Sequence, residues 1–175
     1  MHKSYIITFI TILLFYSCSK NNTLYEINGL TMGTTYSVKV IGNSLDTSKI
    51  RSKIDSILYG INMDMSTYIE SSSISEFNNY NIGRKYRISN DFRKVLKSSQ
   101  YFSKLTDGAF DITINPLVEL WGFSKKSLEK IPTQKEINQT LKTIGIDKLI
   151  IGNNWISKKN KVSIDLSAIA KGYAV

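Results

Sequence analysis

The chain of 175 residues contains one cysteine and two prolines. A single thiol excludes an internal disulfide framework and a four-cysteine zinc site. So little proline, beside 42% hydrophobic and 11% aromatic residues, excludes a disordered chain, which lacks the apolar surface that folding requires. A chain of this length can bury roughly 70% of its unfolded surface, which suits one ordinary domain and would leave two thinly built. No internal repeat, heptad or low-complexity tract is evident.

What is abundant is positive charge: 23 Lys and Arg stand against 14 Asp and Glu, a formal net charge of +9. The basic residues are scattered singly or in pairs, such as Arg84 with Lys85 and Lys158 with Lys159. They build no dense stripe interleaved with aromatics, so the pattern argues against nucleic acid. A basic surface of this kind suits an anionic small molecule or an anionic membrane face.

The first segment speaks to the compartment. Lys3 precedes an apolar run from Tyr5 to Tyr16, followed by Ser17, Cys18 and Ser19, the layout of a secretory signal ending in a lipobox. The run falls short of the ~20 apolar residues that span a bilayer. A small residue before the only cysteine is what lipid modification of an N-terminal thiol requires, although Phe15 departs from the usual aliphatic residue three places earlier. An uncleaved anchor and a plain signal peptide are the alternatives. The expected organisation is a signal peptide over 1–17, a diacylated Cys18 with a tether over 18–23, and a domain over 24–175.

The body reads as alternating strands and helices, an α+β chain. Tyr36, Val38 and Val40 share one face of a strand over Tyr36–Ile41. Ile50, Ile54, Ile57, Leu58 and Ile61 recur at helical spacing, giving an amphipathic helix capped near Thr47, and a loop rich in Met and Ser follows. A second helix starts near Ser89, turns Phe92, Val95, Leu96, Ser99 and Phe102 inward and stops at Gly108. Thr133 and Glu136 form a capping box for a third, which Gly145 ends. Leu149–Ile151, Trp155–Ser157 and Val162–Ile164 read as short strands joined by two hairpin turns.

Four polar, glycine-bearing stretches lie beside these elements, where sites tend to sit. In the first, Met32, Gly33, Thr34, Thr35 and Tyr36 bring a glycine and two hydroxyls to a strand entrance, which also suits a simple turn. In the second, Met65–Tyr68 precedes Ser73–Asn78, in which Ser73 and Glu76 resemble a capping box. The third, Thr106–Pro116, alternates Asp111 and Thr113 with apolar residues, so a strand would show both to one ligand. In the fourth, Asp165 leads through Leu166, Ser167 and Ala168 into a helix start whose amides favour anions, with Lys171 adding charge; an ordinary N-cap reads equally well.

In this order the stretches resemble the ApbE family, the FAD:protein FMN transferases found as bacterial lipoproteins. The segments that carry the resemblance are MGTTYSV at 32–38, MSTY at 65–68 with SEFN at 75–78, DGAFDITINPLVELWGF at 107–123 and IDLSAIAKGYA at 164–174. The resemblance implies that Met32 and Tyr68 contact the flavin of FAD and that Ala109, Phe110 and Asp111 line the same cofactor. It assigns Asp165 and Lys171 to the pyrophosphate and adenosine side, and the main-chain carbonyl of Ala168 to Mg²⁺. Ser167 stands where the family commonly has Gly. The implied reaction moves FMN from FAD to a Ser or Thr hydroxyl of an exported protein and releases AMP, a transfer that depends on positioning and charge neutralisation. The acceptors would be exported domains of membrane redox complexes, of the sodium-pumping NADH:quinone oxidoreductase or Rnf type. The site of action would be the bacterial cell envelope, facing the periplasm or the exterior.

The family's remaining Mg²⁺ ligands, an Asp and a Thr, lie in a later segment that the 175 residues do not include. The chain therefore looks like roughly the first half of an ApbE-type protein. A lipoprotein that binds or hydrolyses FAD without transfer, or an inactive remnant, are the other readings open from the residues.

Overall fold

The computed structural model describes residues 22–123 and 130–175. The signal run, the lipobox with Cys18 and most of the expected tether lie outside the described residues. Among those described, no helix is long and apolar enough to cross a membrane.

Two antiparallel sheets and six α-helices make up the described chain. Strands β1 (Thr23–Thr31) and β2 (Thr34–Gly42) form a hairpin in unbroken register from Thr23 opposite Gly42 to Thr31 opposite Thr34. β1 was not predicted from the sequence, and it begins at Thr23, a residue expected to be tether. The hairpin packs on α1 (Thr47–Met65), to which β2 is tied by the hydrogen bond from the Tyr36 hydroxyl to Asp55 Oδ1 at 2.6 Å. α2 (Ser73–Asn79) and α3 (Asn90–Leu105) follow.

A second sheet has β5 (Trp155–Lys158) at its centre, flanked by β3 (Tyr86–Arg87) and β4 (Leu149–Ile151). α4 (Asn115–Leu120), α5 (Gln134–Leu141) and α6 (Ser167–Ala174) complete the helices. The mixed α and β class expected from the sequence is what the chain adopts.

The core lies where α1, α2, α3 and α6 meet the second sheet, with Ile74, Phe77, Phe92, Leu96, Ile156 and Ile164 fully buried. Burial of each such side chain contributes about 1.5–3 kcal/mol. Local polar bonds hold the helix ends. Thr133 and Glu136 form the expected capping box, with Thr133 N donating to Glu136 Oε2 at 2.8 Å. Those bonds hold the Glu136 carboxyl down at about 2.

Several expectations are corrected. Asp46, not Thr47, caps α1, its carboxylate accepting from Lys49 N at 3.0 Å. α1 runs on through Met65, so the Met and Ser rich loop shrinks to the short link before α2. Ile57 of its predicted stripe is exposed. The cap of α2 is Ser72 instead of Ser73, because Ser72 Oγ accepts from Ser75 N at 3.2 Å while Ser73 Oγ donates to Asp64. Glu76 accepts from the Tyr86 hydroxyl at 2.7 Å; that bond and burial push the Tyr86 phenol up to about 12.

α3 ends at Leu105. Asp107 and Gly108 both take positive φ, and Gly108 N reaches back to Ser103 O at 2.8 Å, a Schellman closure spread over two residues. Val162–Ile164 joins no ladder. The side chain of Asn78 takes the place of a strand there, donating to Ile164 O at 2.8 Å and accepting from Ile164 N at 2.8 Å. Of the two expected hairpin turns only the one joining β4 to β5 forms, closed by Gly152 N to Trp155 O at 2.8 Å.

Candidate functional site

The β1–β2 turn has only two residues between its paired ends, Met32 and Gly33, with φ of 50° and 70°. Two left-handed residues in succession are what a type I′ turn demands. For Gly33 that conformation is free of steric cost, whereas for Met32 it is unfavourable. The turn is held from one side by Asn62 of α1, whose Nδ2 donates to Thr31 Oγ1 at 3.1 Å. Met32 also packs against the core.

Beneath this turn lies a cavity of about 660 Å³, within the size range of small-molecule sites. Its walls come from three separate parts of the chain. The hairpin supplies Met32 and Gly33, α1 and the link after it supply Tyr59, Asn62 and Ser66–Ile69, and α6 supplies Ser167, Ala170 and Lys171. The structure therefore gathers Met32, Tyr68 and Lys171 from positions far apart in the sequence. Tyr59 and Asn62 were not identified from the sequence; the signal is their i, i+3 spacing, which puts both along one side of α1, with Ser66 just past its end.

α6 is set in place from both ends. At its start, Asp165 N donates to Ile112 O at 2.7 Å and Asp165 Oδ1 accepts from Ser167 N at 2.6 Å. Asp165 is 9% exposed as a residue, and its Oδ2 accepts no hydrogen bond among the described residues. Near its end, the Tyr173 hydroxyl donates to Asp91 Oδ1 of α3 at 2.7 Å. That bond and the one from Lys94 keep the Asp91 carboxyl below its ordinary range. Ala170 is buried while Ser167, Ala168 and Lys171 stay exposed, so α6 offers its first turn and a cation to the cavity side.

Ala109, Phe110, Asp111, Asp165 and Ala168 do not line this cavity. Asp111 and Thr113 are not in a strand either. Asp111 caps a 3₁₀ turn over Ile112–Ile114, accepting at Oδ1 from Thr113 N at 2.7 Å and from Thr113 Oγ1 at 2.6 Å. Its Oδ2 accepts from Ile146 N at 3.1 Å, and Thr113 Oγ1 accepts from Gly145 N at 2.7 Å. Local side-chain bonds to the backbone compete with extended structure, and here they win. Phe110 lies edge-on to Phe102, with centroids 6.2 Å apart. The segment reaches the site through the main chain alone, by way of Ile112 O and Asp165 N.

A larger cleft of about 1050 Å³ runs past Asn78, Tyr80, Asn115, Glu119 and Lys158. It holds none of Met32, Tyr68 or Lys171, and its buried Lys158 is accounted for structurally. The ammonium donates to Asn78 O at 2.8 Å and Tyr80 O at 3.2 Å, capping α2, and lies 5.0 Å from the Phe77 ring centroid. Burial pulls its pKa down. The smaller cavity is therefore the better candidate.

Among the described residues no three His, Cys, Asp or Glu side chains cluster as a metal site. A divalent cation of the Mg²⁺ type takes about six oxygen ligands. The described residues offer the free oxygen of Asp165 and main-chain carbonyls of the first turn of α6, which is less than a closed cage.

Comparison with known proteins adds the family. The chain is 39% identical over 169 residues to the FAD:protein FMN transferase of Haemophilus influenzae, covering 91% of this chain and 49% of that protein. It is 34% identical over 177 residues to the FAD:protein FMN transferase of Vibrio cholerae, covering 99% and 53%. The structure superposes on the flavin transferase ApbE from Vibrio cholerae with a TM-score of 0.83 at 36% identity, covering 88% of this chain and 51% of that one. For the apo flavinyl transferase ApbE of Pseudomonas stutzeri the TM-score is 0.82 at 29% identity, with the same coverage of 88% and 51%. The chain thus spans about half the length of the curated relatives it matches. The sequence pattern of the ApbE family matches residues 32–175, and this protein belongs to that family.

Proposed function

We propose that the chain supplies the flavin-holding part of an FAD:protein FMN transferase. The observation that supports this reading is the convergence of Met32, Tyr68 and Lys171 on one cavity, at the start of a helix whose first residue, Ser167, donates its N–H to Asp165. An apolar turn and an aromatic ring suit the flavin, while Lys171 and the helix start suit its phosphates. The acceptor's Ser or Thr oxygen would attack the phosphorus that carries the riboflavin. The bond from that phosphorus to the bridging oxygen breaks, AMP leaves carrying that oxygen, and the hydroxyl's proton passes to solvent.

The Oδ2 of Asp165, free of hydrogen bonds among the described residues, is the kind of hard oxygen donor that Mg²⁺ takes, which supports Mg²⁺ as the partner of the reaction. Ala168 would offer its main-chain carbonyl, Asp165 its free oxygen, and the other ligands would come from outside the described residues. The cation would neutralise pyrophosphate charge. We further propose that Cys18 is lipidated and holds the protein at the bacterial cell envelope, facing the periplasm or exterior. There it would meet exported acceptor domains of membrane redox complexes, such as the sodium-pumping NADH:quinone oxidoreductase or its Rnf relatives. The lipobox at Ser17–Cys18 supports this placement.

The test is the intact mass of an acceptor domain after incubation with the protein, FAD and Mg²⁺. An added FMN with equimolar AMP supports transfer. AMP and free FMN with an unlabelled acceptor would replace it with hydrolysis. Asp165→Asn keeps an oxygen to accept from Ser167 N and removes the carboxylate; labelling is expected to fall by about 100-fold.

A further inference from the structure

Two tyrosines line the cavity, and both are largely exposed: Tyr59 at 66% and Tyr68 at 64%. Two other exposed tyrosines lean on a neighbouring ring, Tyr80 on Tyr86 at 5.2 Å and Tyr101 on Phe102 at 5.4 Å. Neither Tyr59 nor Tyr68 has a ring partner or a hydroxyl hydrogen bond among the described residues. The family resemblance already implies a flavin contact for Tyr68. Tyr59 has no such explanation, yet it stands on the same wall as Asn62, which fixes the Met32 turn through Thr31. A solvent-facing tyrosine in the middle of a helix gains nothing for the fold, whereas a ring bordering a cavity gains when a planar ligand covers it.

We propose that Tyr59 is a second ring-stacking residue of the flavin site, so that the isoalloxazine is held by two tyrosines and Met32 instead of by Tyr68 and Met32 alone. This rests on the flavin reading given above. Tyr59 acts through its ring face and not its hydroxyl, and it discriminates for the flavin half of the ligand over the adenosine half. A planar tricycle would cover the ring and remove its apolar face from water. A stacked aromatic pair adds to that burial, and together the two correspond to about tenfold in affinity.

The test titrates the full chain with FMN and with FAD, following quenching of flavin fluorescence, for the native protein and for Tyr59→Ala, Tyr59→Phe and Tyr68→Ala. Tyr59→Ala is expected to weaken FMN and FAD alike by about tenfold, while Tyr59→Phe stays within about twofold of native. Because Tyr59 is exposed, the alanine variant should keep its far-ultraviolet circular dichroism. Native affinity in Tyr59→Ala, with Tyr68→Ala weakened, overturns the role of Tyr59 and leaves the flavin reading standing. A loss in Tyr59→Phe equal to that in Tyr59→Ala overturns ring stacking in favour of the hydroxyl. Weakened FAD with native FMN moves Tyr59 to the adenosine half and overturns the assignment. If the native chain binds neither flavin, the flavin reading falls and Tyr59 falls with it.

Discussion

In the body of the protein Phe77, Phe92 and Leu96 are completely buried, whereas in the two nine-residue strands of the β1–β2 hairpin only Ile27 is buried. The body is held by side chains packed on several sides. The hairpin is held by its ladder, by one face against α1 and by a few side-chain bonds such as Tyr36 to Asp55 and Asn62 to Thr31. An isolated two-stranded hairpin is marginal in water, so β1 and β2 depend on α1 for their existence. Yet the hairpin carries Met32, while the body carries Tyr68, Asp165 and Lys171. The difference teaches that the site is assembled across a stability gradient: three of its residues sit on or beside the rigid part and one is delivered by a light, strained turn.

The largest expected effect breaks the body. Phe77→Ala removes a fully buried ring from between α2 and the second sheet and should cost about 3–5 kcal/mol. Val38→Ala, on the inner face of the hairpin, should cost about 1 kcal/mol. Urea unfolding of the two variants checks the pair. If Val38→Ala costs as much as Phe77→Ala, the hairpin belongs to the same cooperative unit as the body and the gradient is absent.

A sharper cut is made at Asn78. Among the described residues its side chain is the partner that Ile164 N and O have in place of a strand, at 2.8 Å each, and Ile164 immediately precedes Asp165. Asn78→Ala should cost about 2–3 kcal/mol, the penalty of a buried donor and acceptor left unpaired. Amide exchange is expected to quicken over Val162–Ser167 while the rungs of β1–β2 keep their native rates. Equal quickening in the hairpin would mean that the two regions open together.

The same contrast decides what was legible in the sequence. α1, α3 and the Thr133–Glu136 box announce themselves because a helix signals its inner face by spacing and its start by a cap. β1 does not. Apolar residues stand on both of its faces, Leu24 and Leu30 outside against Tyr25 and Ile27 inside, and Gly29 interrupts the inner row. Only the fold explains Gly29: the Tyr36 ring lies where a Cβ would come within 2.4 Å of it. Val162–Ile164 has the composition of a strand, but its partner is a side chain 86 residues earlier, which no local pattern contains. Asp111 and Thr113 alternate like a strand and are pulled into a 3₁₀ turn by their own side chains. At the site, Met32, Tyr68 and Lys171 were singled out because each sits in a motif shared with the family, whereas Tyr59 stands alone on an exposed helical face and carries no pattern.

The smallest effect tests the strained turn itself. Met32 adopts φ of 50°, which costs a residue with a Cβ roughly 1–2 kcal/mol. Asn tolerates that conformation, and Asn followed by Gly is the favoured pair for a type I′ turn. Met32→Asn should therefore relieve strain, offset in part by the loss of the methionine's contact with the core. The expected net is a stabilisation of about 0.5–1 kcal/mol, read as a rise in the thermal midpoint, together with weaker binding of FMN because the thioether is gone from the cavity wall. A conformation kept against its steric cost, at a residue that faces a cavity, has the form of strain retained for a ligand. If Met32→Asn instead lowers the midpoint, the core contact outweighs the strain. Met32 would then be an outlying piece of the body, and the hairpin would be no lighter than the structure it leans on.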